Sequence, residues 1–320
     1  MASATPFPFN RRAIPAGATE SRWQASDGWS IRRIDWPAPA GTPKGSILFL
    51  PGRGDFYEKY LETLDHWAAL GWQVTASDWR GQGDSGRLST DKVTGHIDDF
   101  ATWTDDLAQL WRAWKAATPG PHVLAGHSMG GHLVLRAAAA GQVDPAALIL
   151  SAPMLGFTAS LLPQAFMHQA AKLMKALGDP RRPAWKWSEA PGEVPEHRAL
   201  LLTHDAQRYA DELWWREHRP DLVMGPGSWG WVERAYASMR LLSRPELLAR
   251  IRVPVLIAAT DNDKLVGWNA TARAATLLPD CELVHFGKES AHEVLREVDA
   301  VRSRALSACD AMLARIAGAP

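Results

Sequence analysis

"HVLAGHSMGGHLVLRAAAA", His122–Ala140, begins as an apolar strand and ends as an alanine-rich helix, with Ser128 between Gly126 and Gly130. A strand that turns sharply into a helix lifts the side chain at the turn above the sheet. A larger residue two places to either side would clash across that turn. The same geometry aims the next backbone N–H groups, at a helix N-terminus, towards negative charge developing there. Gly126-His127-Ser128-Met129-Gly130 therefore reads as a G-x-S-x-G elbow with Ser128 as candidate nucleophile. A glycine-rich turn that happens to hold a serine is the plainer alternative.

Outward from the elbow, strand and helix signals alternate. "SRWQASDGWSIRRIDW" reads as a hairpin about Asp27-Gly28, and "SILFLPG" as a short buried strand ending in a loop. "YEKYLETLDHWAALG" sets Tyr60, Leu61, Leu64, Trp67 and Ala68 on one helical face. "WQVTASD" is a strand, and "DDFATWTDDLAQLWRAWKAA" an amphipathic helix with Phe100, Trp103, Leu107, Leu110 and Trp114 in its stripe. Strand "AALILSA" follows the elbow helix. Later come "VPVLIAATD", a helix near 268–278, "CELVHF" and a final helix from about 293.

Near-continuous apolar strands alternating with helices imply an α/β chain with a mostly parallel sheet covered on both faces. The rhythm breaks from about 154 to 245, which is helical and rich in Trp, Pro and His. The division expected is a tail over 1–20, a core over 21–153 and 246–320, and a helical cap inserted at 154–245. In "LLPQAFMHQAAKLMKAL", Leu162, Phe166, Leu173 and Leu177 share one face, and His168, Lys172 and Lys175 the other. Two readings stay open: a stripe packed against the core, or a lid touching lipid.

Composition narrows the class. Lys plus Arg (35) balances Asp plus Glu (35), so no bulk field favours nucleic acid. Two cysteines, Cys281 and Cys309, build no disulfide framework, and no CxxC spacing suggests zinc. The start, "MASATPFPFNRRAIPAGATE", reads as a tail and not a secretory signal, and the expected location is cytoplasmic. The uncharged run 145–167 is interrupted by Pro153, Gly156 and Pro163, which fits two elements and a turn better than a membrane span. Sixteen tryptophans invite core packing, but "WKW", "WW" and "SWGW" in the second half suggest an apolar pocket wall.

An elbow serine requires a base and an acid further along the chain. Asp261 and Asp263 lie just beyond the strand in "VLIAATDNDKLV", and His292 precedes the last helix in "VHFGKESAHEVLRE". Asp263 is the expected acid, with Asp261 two positions away as its rival. His285 falls within a strand and reads as structural. "HEVLR" lacks the second histidine of a zinc peptidase motif. The expected oxyanion donors are the backbone N–H groups of Met129, after the nucleophile, and of Arg53 in "FLPGRGDF". "GQGDSG" (81–86) fits G-x-G-x-x-G but precedes "RLSTDK", with no helix to receive a pyrophosphate, so no cofactor is expected.

"LPGRGDFYEKY", "SDWRGQGDSGR", "GHIDDFATWTDDL", "GHSMGG", "TDNDKLV" and "AHEVLRE" together resemble the α/β-hydrolase superfamily, most nearly its monoacylglycerol lipase and lysophospholipase branch. "LTHDAQRYADE" in the inserted segment resembles the lysophospholipase-like members. The resemblance spans about residues 45–298. It implies an eight-stranded α/β-hydrolase sheet with a helical cap, Ser128, Asp263 and His292 as triad, and Arg53 and Met129 as oxyanion donors. It further implies a serine hydrolase of single-chain lipid esters, and the lid reading of the cap stripe would add transient contact with a membrane surface. A small-molecule esterase, thioesterase or peptidase of the same fold, or a non-catalytic binding protein, are the alternatives. One departure stands out: Pro51-Gly52-Arg53 replaces the His-Gly and small or apolar residue of many relatives. The new guanidinium either contacts an anionic part of the substrate or pairs with Asp55 or Glu58.

Overall fold

The computed structural model describes residues 9–37, 41–158, 163–186 and 196–318. Among these, eight strands form one sheet: β1 (Thr19–Gln24), β2 (Ser30–Trp36), β3 (Ser46–Leu50), β4 (Gln73–Ser77), β5 (His122–His127), β6 (Ala147–Ser151), β7 (Val255–Thr260) and β8 (Cys281–Phe286). Their order is β1-β2-β4-β3-β5-β6-β7-β8. β1 pairs antiparallel with β2 and β2 with β4; every later pairing is parallel. Because side chains alternate across a strand, Leu48 and Leu50 of β3 join one core layer while Ile47 and Phe49 join the other. Helices α1 (Leu61–Ala69), α2 (Phe100–Ala117) and α3 (Met129–Ala139) follow β3, β4 and β5. The expected stripes of α1 and α2 are buried, and Trp111 lies buried in the same layer as the α2 stripe. The α2 indoles stay hydrogen-bonded in the core: Trp103 to the Arg80 carbonyl, Trp114 to Thr75 and Trp111 to Asp144.

Between β6 and β7 come α4 (Gln164–Ala176), α5 (Glu196–Leu202), α6 (Ala206–His218), α7 (Trp229–Leu242) and α8 (Pro245–Leu248). Leu162 and Trp187, included in the stripe and the "WKW" reading above, lie outside the described residues. The orientation of α4 excludes a stripe packed on the core. Phe166, Leu173 and Leu177 are 56%, 60% and 62% exposed, whereas His168 is buried. The cause is Glu233 on α7, a buried carboxylate. It takes His168 Nε2 at 3.2 Å and Lys175 Nζ at 2.9 Å, so these two turn inward while Lys172 stays exposed.

After β7 and β8 come α9 (Trp268–Leu277) and α10 (Asp299–Ala317). The last helix starts later than its pattern predicts, after a 3₁₀ turn at Val294–Arg296. The carbonyl of Arg296 accepts from Thr203 Oγ1 and that of Glu297 from Arg208, both at 2.8 Å. Committed to side chains of the inserted segment, these carbonyls do not propagate a helix. Residues 9–18, read above as tail, lie against α6: Arg11 and Arg12 each reach Asp211 at 2.6 Å. Among the described residues, no helix is long and apolar enough to cross a membrane.

The start of α3 meets the end of β3 backbone to backbone. A β-carbon on Gly130 would lie 2.3 Å from the Leu50 carbonyl oxygen and 2.4 Å from that of Pro51. Gly130→Ala is therefore expected to lower stability by about 1–3 kcal/mol or more, read as a lower midpoint in urea unfolding at unchanged slope.

Candidate active site

The loops that leave β3, β5, β7 and β8 at their C-terminal ends converge on one point, where open parallel sheets present their crevice. Ser128 sits there with φ 51° and ψ −117°, a strained backbone for a residue with a side chain. Three hydrogen bonds hold it: its N–H donates to Ser151 O at 2.9 Å, and its carbonyl accepts from His132 N and Met154 N at 3.0 Å. A β-carbon on Gly126 would meet the backbone of Gly130 and Gly131 at 2.7 Å. The two glycines thus answer different contacts, one across the elbow and one against β3.

His292 Nε2 lies 2.9 Å from Ser128 Oγ, and its Nδ1 lies 2.6 Å from Asp263 Oδ2. Asp263 Oδ1 accepts from the N–H groups of Leu265 and Val266 at 2.7 and 3.0 Å. Thr158 Oγ1 anchors the Asp263 carbonyl at 3.0 Å. Asp261 instead faces His285, 3.1 Å away at the surface, where His285 also lies against Trp268. Burial works against charge on both His292 and Asp263. Their mutual attraction outweighs it, so the imidazole pKa is raised and the carboxyl pKa lowered from their ordinary values.

Met129 is the first residue of α3, where backbone N–H groups lack an intrahelical acceptor. Gly52 abuts the elbow: a β-carbon there would come within 3.1 Å of Ser128 Cβ, so Arg53 follows directly at the site. Two side chains to which the sequence assigned other roles or none brace this loop. Asp55 Oδ2 accepts the Gly52 N–H at 3.1 Å, and Gln82 Oε1 accepts that of Gly54 at 2.7 Å. "GQGDSG" therefore buttresses the loop through Gln82. Only the third dimension brings these segments together, and no local periodicity signals it.

The Arg53 guanidinium donates to Gly225 O at 2.8 Å and lies over the rings of Trp185 and Trp231, 5.1 and 4.9 Å from their centroids. The carboxylates proposed above as its partners are engaged elsewhere: Asp55 with Lys59 at 2.5 Å, Glu58 with Arg32 at 2.7 Å. Ser128 and His292 open onto a cavity of about 540 Å³ walled by Met154, Phe157, Met167, Leu202, Met224 and Trp231. Arg53, Arg198 and Arg216 also line it. Behind His292, ligand-type atoms of Asp55, His127 and Glu293 lie within 4.8 Å of one another. The cation serving those carboxylates is the Lys59 ammonium, 2.5 Å from Asp55 and 2.6 Å from Glu293. Burial first, and His292 second, push the His127 pKa down to about 4, so this ring is neutral near neutral pH.

A family model described as "Serine aminopeptidase, S33" matches residues 41–299. Lysophospholipase L2 of Escherichia coli strain K12 is 31% identical over 291 residues, covering 82% of this chain and 78% of that protein. A probable lysophospholipase L2 of Haemophilus influenzae is 25% identical, over 86% and 85% of the two chains. Among solved structures, a soluble variant of monoglyceride lipase from Saccharomyces cerevisiae, in complex with a substrate analogue, matches with a TM-score of 0.74 at 19% identity. That match covers 97% of this chain and 99% of the other and reports a shared fold. With four-fifths of its length inside the family model and the eight-stranded sheet in place, the chain belongs to the serine aminopeptidase S33 family of α/β-hydrolases.

Proposed function

We propose that this protein hydrolyses the carboxylic ester of single-chain lipids, lysophospholipids or monoacylglycerols, through an acyl-enzyme on Ser128. The observation that carries the reading is the relay Ser128–His292–Asp263, with 2.9 and 2.6 Å contacts, opening onto a largely apolar cavity. His292 Nε2 takes the hydroxyl proton as Ser128 Oγ attacks the ester carbonyl carbon. The tetrahedral oxyanion is received by the backbone N–H groups of Met129 and Arg53. Collapse breaks the ester bond, and His292 returns the proton to the departing alkoxide. Water then repeats the sequence to release the acid. Asp263 keeps the Nδ1 proton in place and stabilises the imidazolium.

The acyl group fits the walls formed by Phe157, Met167 and Trp231. The names carried by the bacterial relatives, lysophospholipase L2 among them, support the same substrate class. The peptidase reading invited by the family's description needs a seat for a substrate ammonium. Among the described residues, the carboxylates on the cavity wall, Asp55 and Glu293, bond Lys59, and Arg53, Arg198 and Arg216 line the same wall. The segment 154–245 serves as the cap: α4 lines the cavity through Met167, Ala170 and Ala171 and turns Phe166, Leu173 and Leu177 outward. Basic residues Lys172, Arg181 and Arg182 near that outward stripe favour transient contact with an anionic lipid surface. Two free thiols accord with a cytoplasmic location.

Ser128→Ala should abolish covalent labelling by a fluorophosphonate; retained labelling excludes this serine as nucleophile. Asp263→Asn should cut kcat by about 10⁴-fold and move the acid limb of the pH profile down, since the imidazole loses the charge that raises its pKa. Asp261→Asn should leave kcat within about twofold. Among p-nitrophenyl esters, decanoate should be cleaved in preference to acetate. Arg53→Ala should lower kcat/KM about tenfold more for a lysophospholipid than for a neutral monoacylglycerol; equal losses would exclude a phosphate contact. Phe166→Glu with Leu173→Glu should reduce sedimentation with anionic vesicles while sparing turnover of a soluble ester.

A further inference from the structure

Behind the relay lies a buried set of charges that the mechanism above does not use. Lys59 Nζ reaches three carboxylates: Asp55 at 2.5 Å, Glu293 at 2.6 Å and Glu212 at 3.1 Å. The second cation, Arg296, meets Glu212 at 3.0 Å and also Glu293. Each carboxylate belongs to a different segment. Asp55 closes the loop after β3, where it accepts the Gly52 N–H and the Tyr60 hydroxyl. Glu293 directly follows His292, and its own N–H is tied to Leu202 O at 2.8 Å. Glu212 comes from α6 of the inserted segment.

We infer that Lys59 is a positioning residue, whose ammonium locks the loop bearing Gly52 and Arg53 to the loop bearing His292 and so sets the Arg53 oxyanion donor and the base at one fixed separation. A cation suits the site because the three hydrogens of the ammonium face three buried carboxylates at once. Burial raises the pKa of Asp55 and of Glu293, but the cations outweigh it, with Lys59 foremost at Asp55 and Arg296 at Glu293, and both are held down to about 2. Lys59 itself does not line the cavity, whereas the Asp55 and Glu293 it bridges do, so it acts through them and not on the substrate directly.

The inference rests on the reading of Ser128 as nucleophile. The test therefore begins with peptide mapping of fluorophosphonate-labelled wild type, and an unlabelled Ser128 would overturn both. With Ser128 labelled, Lys59→Met, counted by active-site titration on a soluble p-nitrophenyl ester, should lose about 10- to 100-fold in kcat with KM within about threefold. Lys59→Arg, which keeps the charge and several donors, should recover at least tenfold of a hundredfold loss. Should Lys59→Met not fold, Glu293→Gln, which removes one arm of the bridge, carries the same kcat and KM expectation. Wild-type kcat per titrated site in the folded variant, or equal losses in Lys59→Arg and Lys59→Met that follow their melting temperatures, would overturn the inference while leaving the nucleophile in place.

Discussion

Three pieces of backbone approach each other at the elbow more closely than side chains permit. Gly130 touches the carbonyls that end β3, Gly126 touches the first turn of α3, and Ser128 between them takes a φ of 51°. A strained residue persists only where its surroundings over-determine it. Here the hydrogen bonds to Ser151, His132 and Met154 do so, and they bind the elbow to β6 and to the start of its own helix. The loop after β3 is thereby pressed against Ser128, and the positions of Gly52 and Arg53 follow. Movement of any of the three pieces would release the other two.

Around that contact the environment divides sharply. In front lies a cavity of apolar side chains with arginines along it. Behind lies a buried ionic layer in which Asp55, Glu212 and Glu293 pair with Lys59 and Arg296. In a low-dielectric interior an unpaired charge is costly and a paired one is rigid. Such a layer fixes geometry. His127, neutral and packed against His292 at a ring separation of 4.8 Å, separates the two regimes. The Arg53 cation belongs to the front, held by two indole faces and a carbonyl.

How much of this was legible before the fold was known depends on the range of the interaction concerned. Strand alternation, the stripes of α1 and α2 and the spacing of Gly126, Ser128 and Gly130 are local patterns, and each sits where its period puts it. The stripe of α4 is just as local, yet its direction was not readable. Whether Phe166 and Leu173 face inward depends on Glu233 of α7, some 60 residues away, which requires the histidine and lysine on the opposite face. The start of α10 fails for the same reason, the carbonyls of Arg296 and Glu297 just before it being taken by Thr203 and Arg208.

From the order of residues alone came the α/β alternation, the elbow, and a short set of acids and histidines that could serve it. Periodicity and tight-turn stereochemistry act over a few residues and leave their mark in sequence. Only the folded chain separates Asp261 from Asp263, two residues apart: one meets His285 at the surface, the other His292 in the interior. It alone also revealed Lys59 beneath the relay. Electrostatic pairing is set by distance in space and by burial, and neither quantity is written along the chain.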